Sequence, residues 1–102
     1  NMRFFHVADY YTKKQLPPSK IEILQNYILN YIFTLAKENL LSGKVDVVLK
    51  ELLAKHVQRM IDVGKLRNQK KPNYYSASYF DSLTVLKMAI NEDNKVFFKK
   101  GF

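Results

Sequence analysis

From Ile21 onward the apolar residues recur at steps of three and four, the spacing that gathers side chains on one side of an α-helix. Ile21, Leu24, Ile28, Ile32 and Leu35 form such a face, with Glu22, Asn26, Asn30 and Lys37 marking the other side. Ser19-Lys20-Ile21-Glu22 has the form of a capping box, in which the Ser19 hydroxyl and the Glu22 carboxylate satisfy each other's backbone amides. The pattern predicts a helix from this box to Leu41, with Gly43 in the left-handed position after its end. Ile23, Tyr27, Tyr31 and Phe33 widen the apolar arc, so the helix is expected to be touched from two sides or to meet a partner.

A second helix is expected from Val45 to Val63, closed by Gly64. Val45, Val48, Leu49, Leu52, Leu53, Val57, Met60 and Ile61 are its apolar face. Lys50, Glu51, Lys55, Gln58, Arg59 and Asp62 are its outward positions, and His56 reads as a helix-surface residue. The three-residue link Ser42-Gly43-Lys44 requires a tight turn between the two helices.

After Gly64 the period changes. Lys65-Leu66-Arg67-Asn68 alternates, Gln69 to Asn73 has turn chemistry, and Tyr74-Tyr75-Ser76-Ala77 is rich in strand formers. These features predict a small β-hairpin over residues 65–77. A last helix is expected from Tyr79 to Asn91, with Ser78 as N-cap and Tyr79, Phe80, Leu83, Leu86 and Ile90 as its face. Lys95 to Phe102 then reads as a short strand. Residues 2–15 fit a strand over Arg3–Val7 or a short helix through Phe4, Val7, Ala8 and Tyr11, and the helix is preferred. Leu16-Pro17-Pro18 ends that segment. No internal repeat or interdomain linker stands out. The expected fold is mainly α: a compact bundle of three to four helices with one small hairpin. It forms a single domain over 1–102, in which residues 1–18 pack on a core built from 19–102.

Composition agrees with a folded domain: 102 residues, 47% hydrophobic and 14% aromatic, supply enough apolar surface for one core. The absence of cysteine removes thiol catalysis, cysteine-ligated zinc and disulfides from consideration. Ile23 to Ala36 is the longest apolar stretch, and Gln25, Asn26 and Asn30 interrupt it. It is too short and polar for a membrane span, and no signal-like segment opens the chain. The expected location is therefore the cytoplasm, or the nucleoid or nucleus.

Seventeen Lys and Arg against nine Asp and Glu give a net charge of +8. A surplus of that size favours polyanionic partners, although small lysine-rich domains also carry it for solubility alone. Catalytic signatures are missing. The two histidines, His6 and His56, have no metal-ligand spacing, no glycine-rich phosphate loop is present, and the acids are scattered. Neither an enzyme nor a cofactor or metal is expected.

Cations and aromatics concentrate between Arg59 and Tyr79. Arg59, Lys65, Arg67, Lys70 and Lys71 stand against the single acid Asp62, and Tyr74, Tyr75 and Tyr79 follow. Cations neutralise phosphates, and exposed aromatic faces stack on unpaired bases. The competing expectation is that the tyrosines pack the turn onto the core while the lysines solvate it.

The order of these elements resembles the second half of a winged-helix domain. Val57-Gln58-Arg59-Met60-Ile61-Asp62-Val63-Gly64-Lys65-Leu66, a basic turn and Tyr74-Tyr75 match a helix ending at glycine, a basic wing and an aromatic return strand. The similarity covers residues 45–80 and implies a winged-helix-like fold. It also implies that Lys50, Lys55 and Arg59 face a major groove, with Arg67, Lys70 and Lys71 on phosphates. The expected function is a non-enzymatic nucleic-acid-binding domain, for DNA or RNA, single-stranded or duplex. Its site comprises Lys50, Lys55, Arg59, Lys65, Arg67, Lys70, Lys71, Tyr74 and Tyr75. The alternative is a protein-interaction module or homodimer using the apolar helix 20–41 and the tail Phe97, Phe98 and Phe102.

Overall fold

The computed structural model describes residues 18–101. Four helices follow one another: α1 Pro18–Leu41, α2 Val47–Lys70, α3 Ala77–Asn91 and α4 Lys95–Lys100. The chain divides into two compact units, residues 1–32 and 33–102, and α1 runs through the boundary. The expectations for residues 2–15 and for Phe102 lie outside the described residues.

In the first unit, residues 18–32 are helical. Gln25, Ile28 and Ile32 are buried, whereas Ile23 and Tyr27 are exposed. The helix begins at Pro18, whose missing N–H is harmless in a first turn. Ser19 therefore stands inside the helix and not at its cap.

The second unit closes around side chains from all four helices. Ala36 and Leu40 of α1, Leu53, Val57, Met60 and Ile61 of α2, Leu83, Leu86, Ala89 and Ile90 of α3, and Phe98 of α4 are buried. Helices α2 and α3 pack along each other. Phe98 is 1% exposed, and its ring centroid lies 5.3 Å from that of Phe33. Phe97 meets the Phe33 ring edge-on at 5.8 Å. Two members of the aromatic tail are thus packing residues, held by a short helix where a strand was expected.

Each helix after α1 starts on a polar cap. The Asp46 carboxylate accepts from the Leu49 amide at 3.2 Å, the Ser76 hydroxyl from Tyr79 at 3.2 Å, and the Asn94 amide oxygen from Phe97 at 3.1 Å. Capping by Ser76 displaces the cap expected at Ser78. Gly43 does take the left-handed conformation, at φ 87°.

Two asparagines near helix ends form matching clasps. Asn39 donates from Nδ2 to the Asp46 carbonyl at 3.0 Å, and its Oδ1 accepts from the Asp46 amide at 2.8 Å. Asn68 makes the same pair of bonds to Tyr75, at 3.1 and 2.9 Å. In each case a side-chain amide supplies the donor and acceptor that a neighbouring strand would offer. The clasp satisfies a loop residue's backbone and fixes where the next helix begins.

The expected β-hairpin is absent: no strand occurs among the described residues, and residues 65–70 continue α2 without a break. Two physical causes account for the error. Lys65-Leu66-Arg67-Asn68-Gln69-Lys70 contains no proline or β-branched residue and consists largely of good helix formers, so four residues of alternation carried little weight. Gly64, read as a terminator, is an interior residue selected by packing. A Cβ at Gly64 would stand 2.8 Å from Phe80 Cε1 and 3.0 Å from Phe80 Cζ. The helix continues to Lys70, and Pro72 follows the Lys71 cap. Tyr74 and Tyr75 lie in the connection to α3, and Asn73 takes a left-handed φ of 62° there. The winged-helix-like fold is corrected with the hairpin, because the described residues contain no wing.

Candidate nucleic-acid interface

Extending α2 to Lys70 redistributes the basic residues around a helix instead of along a hairpin. At 3.6 residues per turn, Lys55, Arg59 and Lys70 fall within about 60° of one another and span roughly 22 Å of helix axis. All three are exposed. Lys65 is exposed on one flank of this stripe, and Lys71 is exposed at the helix end. Arg67 lies on the other flank, roughly 160° around the helix from Lys65. It is half-buried, and its buried Nη1 has no hydrogen-bond partner. Residues adjacent in sequence have been sent to different faces.

Local contacts separate the cations further. Lys50 is 24% exposed and bonds Asp93 at 3.0 Å, beside a small cleft lined by Leu53, Ile90 and Phe98. It closes an ion pair between α2 and the turn after α3. Arg59 places Nη2 3.1 Å from His56 Nδ1, which accepts because a guanidinium offers only donors. His56 is 7% exposed, so its expected surface position is corrected: the ring belongs to the buried side of α2. Lys55, Lys65 and Lys70 have no ion-pair partner among the described residues.

Asp62, the one acid in this stretch, is engaged laterally. Its carboxylate accepts from Gln58 Nε2 at 2.9 Å, and Gln58 Oε1 accepts from Lys87 of α3. The negative charge sits toward the Gln58 side of α2, about 60° from Arg59. It lies only about 20° around the helix from Lys55, so it borders the basic stripe between Lys55 and Lys65, held toward Gln58.

The tyrosines expected to stack on bases face one another. Tyr75 is 5% exposed, and its ring stacks on Tyr79 with centroids 5.0 Å apart and planes at 22°. Tyr74 meets Tyr75 edge-on at 5.1 Å, while Lys71 Nζ lies 5.2 Å from the Tyr74 centroid. Phe80 continues the cluster, with its ring centroid 5.4 Å from that of Tyr79. Burial pushes the Tyr79 phenol well above its ordinary 10.0, and neighbouring Tyr75 adds to the rise while Arg67 opposes it. Its hydroxyl is neutral at any physiological pH. This cluster is a structural joint between the end of α2 and the start of α3.

Sequence reasoning missed the apolar members of the exposed face. Val48, Leu52 and Leu66 were expected inside or on the hairpin, yet they are 68%, 41% and 61% exposed on α2. They share the side of the helix that carries Lys55, Arg59 and Lys70. The signal was present: the buried set Leu53, Val57, Met60, Ile61 and Gly64 defines an arc that leaves these three residues outside. Among the described residues no group of three or more His, Cys, Asp or Glu could hold a metal ion. No described helix is long and apolar enough to cross a membrane. Compared with protein-family models, curated proteins and solved structures, the chain matches none.

Proposed function

We propose that this protein binds nucleic acid through the phosphate backbone, using the exposed basic stripe of α2. One observation carries the reading. Lys55, Arg59, Lys65, Lys70 and Lys71 are all exposed on or just beyond one helix, where they outnumber the neighbouring acids Glu51 and Asp62, and Asp62 is held by Gln58. Cations fixed on a helix lose little freedom on meeting a phosphate chain, and the counterions they displace from the nucleic acid drive association. Lys50 is not part of this surface, because its charge is already paired with Asp93. Tyr75 is not part of it either, since its ring is buried.

The test is a salt titration of binding with the intact chain and with the triple variant Lys55→Ala/Arg59→Ala/Lys70→Ala. The variant is expected to flatten the slope of log K against log salt by roughly three, one for each lost phosphate contact. Circular dichroism would establish that the variant keeps its helices. An unchanged slope in a folded variant would remove the stripe from the reading.

A further inference from the structure

We infer that the preferred ligand of the α2 surface is a double helix, read by its phosphates and not by its bases. This rests on the nucleic-acid reading above and deepens it. Two features of the site support the choice.

The first is the fate of the aromatic rings. A flexible single strand must be ordered on binding, and proteins that prefer it recover that loss by stacking bases on exposed aromatic faces. Here the three tyrosines beside the basic stripe are committed to one another. Tyr75 and Tyr79 stack face to face, Tyr74 closes on the edge of Tyr75, and Lys71 lies over the Tyr74 ring. The Asn68 clasp on the Tyr75 backbone holds the ladder in place. To offer the Tyr75 ring to a base, the joint between α2 and α3 would have to come apart, and Tyr74 already presents its ring to Lys71.

The second feature is the shape of the charge. Lys55, Arg59 and Lys70 lie along one unbroken helix over roughly 22 Å. A duplex presents one phosphate charge per roughly 1.7 Å of axis on a similarly stiff rod, so both partners meet with their charges already positioned. Within the roughly 60° arc from Lys55 to Lys70 no Asn, Gln, Asp or Glu lies between these cations, and Asp62, which borders the arc about 20° from Lys55, is engaged by Gln58. Val48, Leu52 and Leu66 are the exposed apolar members of that arc, and they offer nothing to the hydrogen-bonding edges of base pairs. Binding is therefore expected to be insensitive to sequence.

The experiment compares 24-nucleotide ligands at fixed low salt with the intact chain: duplex DNA, duplex RNA, and single strands of mixed and poly-pyrimidine sequence. The expected result is a preference of about tenfold or more for a duplex over a single strand, with less than threefold variation among duplex sequences. The two duplex arms show whether B-form or A-form geometry fits better, and either satisfies the inference. Tyr74→Ala in the intact chain should leave single-strand affinity within twofold. Single strands bound as tightly as duplexes would overturn the inference while leaving the phosphate reading intact, and a large loss from Tyr74→Ala would do the same. Absence of binding to every ligand would overturn both.

Discussion

Asn68 and Tyr75 are joined by two hydrogen bonds across a seven-residue separation. The asparagine amide donates to the tyrosine carbonyl at 3.1 Å, and its oxygen accepts from the tyrosine amide at 2.9 Å. Because Tyr75 is the last residue before the Ser76 cap, this clasp determines where α3 begins relative to the end of α2.

Replacing Asn68 by Ala leaves a buried residue's amide and carbonyl without those partners, at a cost of about 1–3 kcal/mol. Asn39→Ala breaks the equivalent clasp at an exposed site, where water takes over, and is expected to cost less than about 1 kcal/mol. Urea denaturation of the two variants checks the ranking. Equal losses would mean that burial of Tyr75 is not what makes its clasp matter.

Gly64 stands where the Phe80 ring approaches α2 most closely. In an open helix interior Gly→Ala gains about 1 kcal/mol from helix propensity. Here the added Cβ must displace Phe80, and overpacking of that kind costs about 1–3 kcal/mol. Gly64→Ala is expected to destabilise by about 1 kcal/mol and Gly64→Leu by about 3 kcal/mol. Stabilisation by alanine would sink the packing account.

The Tyr79 phenol has a raised pKa in the folded protein, mainly from burial. The unfolded chain ionises near the ordinary value of 10.0 and the folded chain only above it. The resulting stabilisation is complete below pH 10 and is lost progressively as pH rises beyond that. Tyr79→Phe removes this dependence. Urea midpoints at pH 8 and pH 10.5 should fall further for the parent than for the variant, and parallel falls would count against a buried phenol.

Lys50 and Lys55 are both cations of α2, yet they should separate in experiment. Lys50→Ala breaks a partly exposed ion pair and is expected to cost at most about 1 kcal/mol of stability, with an unchanged salt slope for nucleic acid. Lys55→Ala should leave stability within about 0.5 kcal/mol and flatten the slope by roughly one. Reversed behaviour would show that the binding surface lies on the Asp93 side of α2.

Several features were legible from local spacing. The apolar steps through Ile28 and Ile32 announced α1, Leu83, Leu86 and Ile90 announced α3, and Gly43 marked a turn by its conformational freedom. The joint after α2 was misread because its two decisive residues act over distance. Gly64 carries no mark distinguishing a helix end from a contact with Phe80, which follows it by sixteen positions. Asn68 has ordinary turn chemistry, and its partner is seen only when the chain has come round.

The sequence by itself determined the helical character, the lack of cysteine and the surplus of positive charge, because each follows from composition or short-range period. Tertiary structure alone decided which charges face outward together. Lys50 and Lys55 are five residues apart and read alike, but one meets Asp93 and the other solvent. Tyr75 looked like a stacking platform until Tyr79 and the Asn68 clasp took its ring and backbone. The reason in every case is the same: a side chain's role is fixed by the neighbour that reaches it first, and those neighbours come from other parts of the chain.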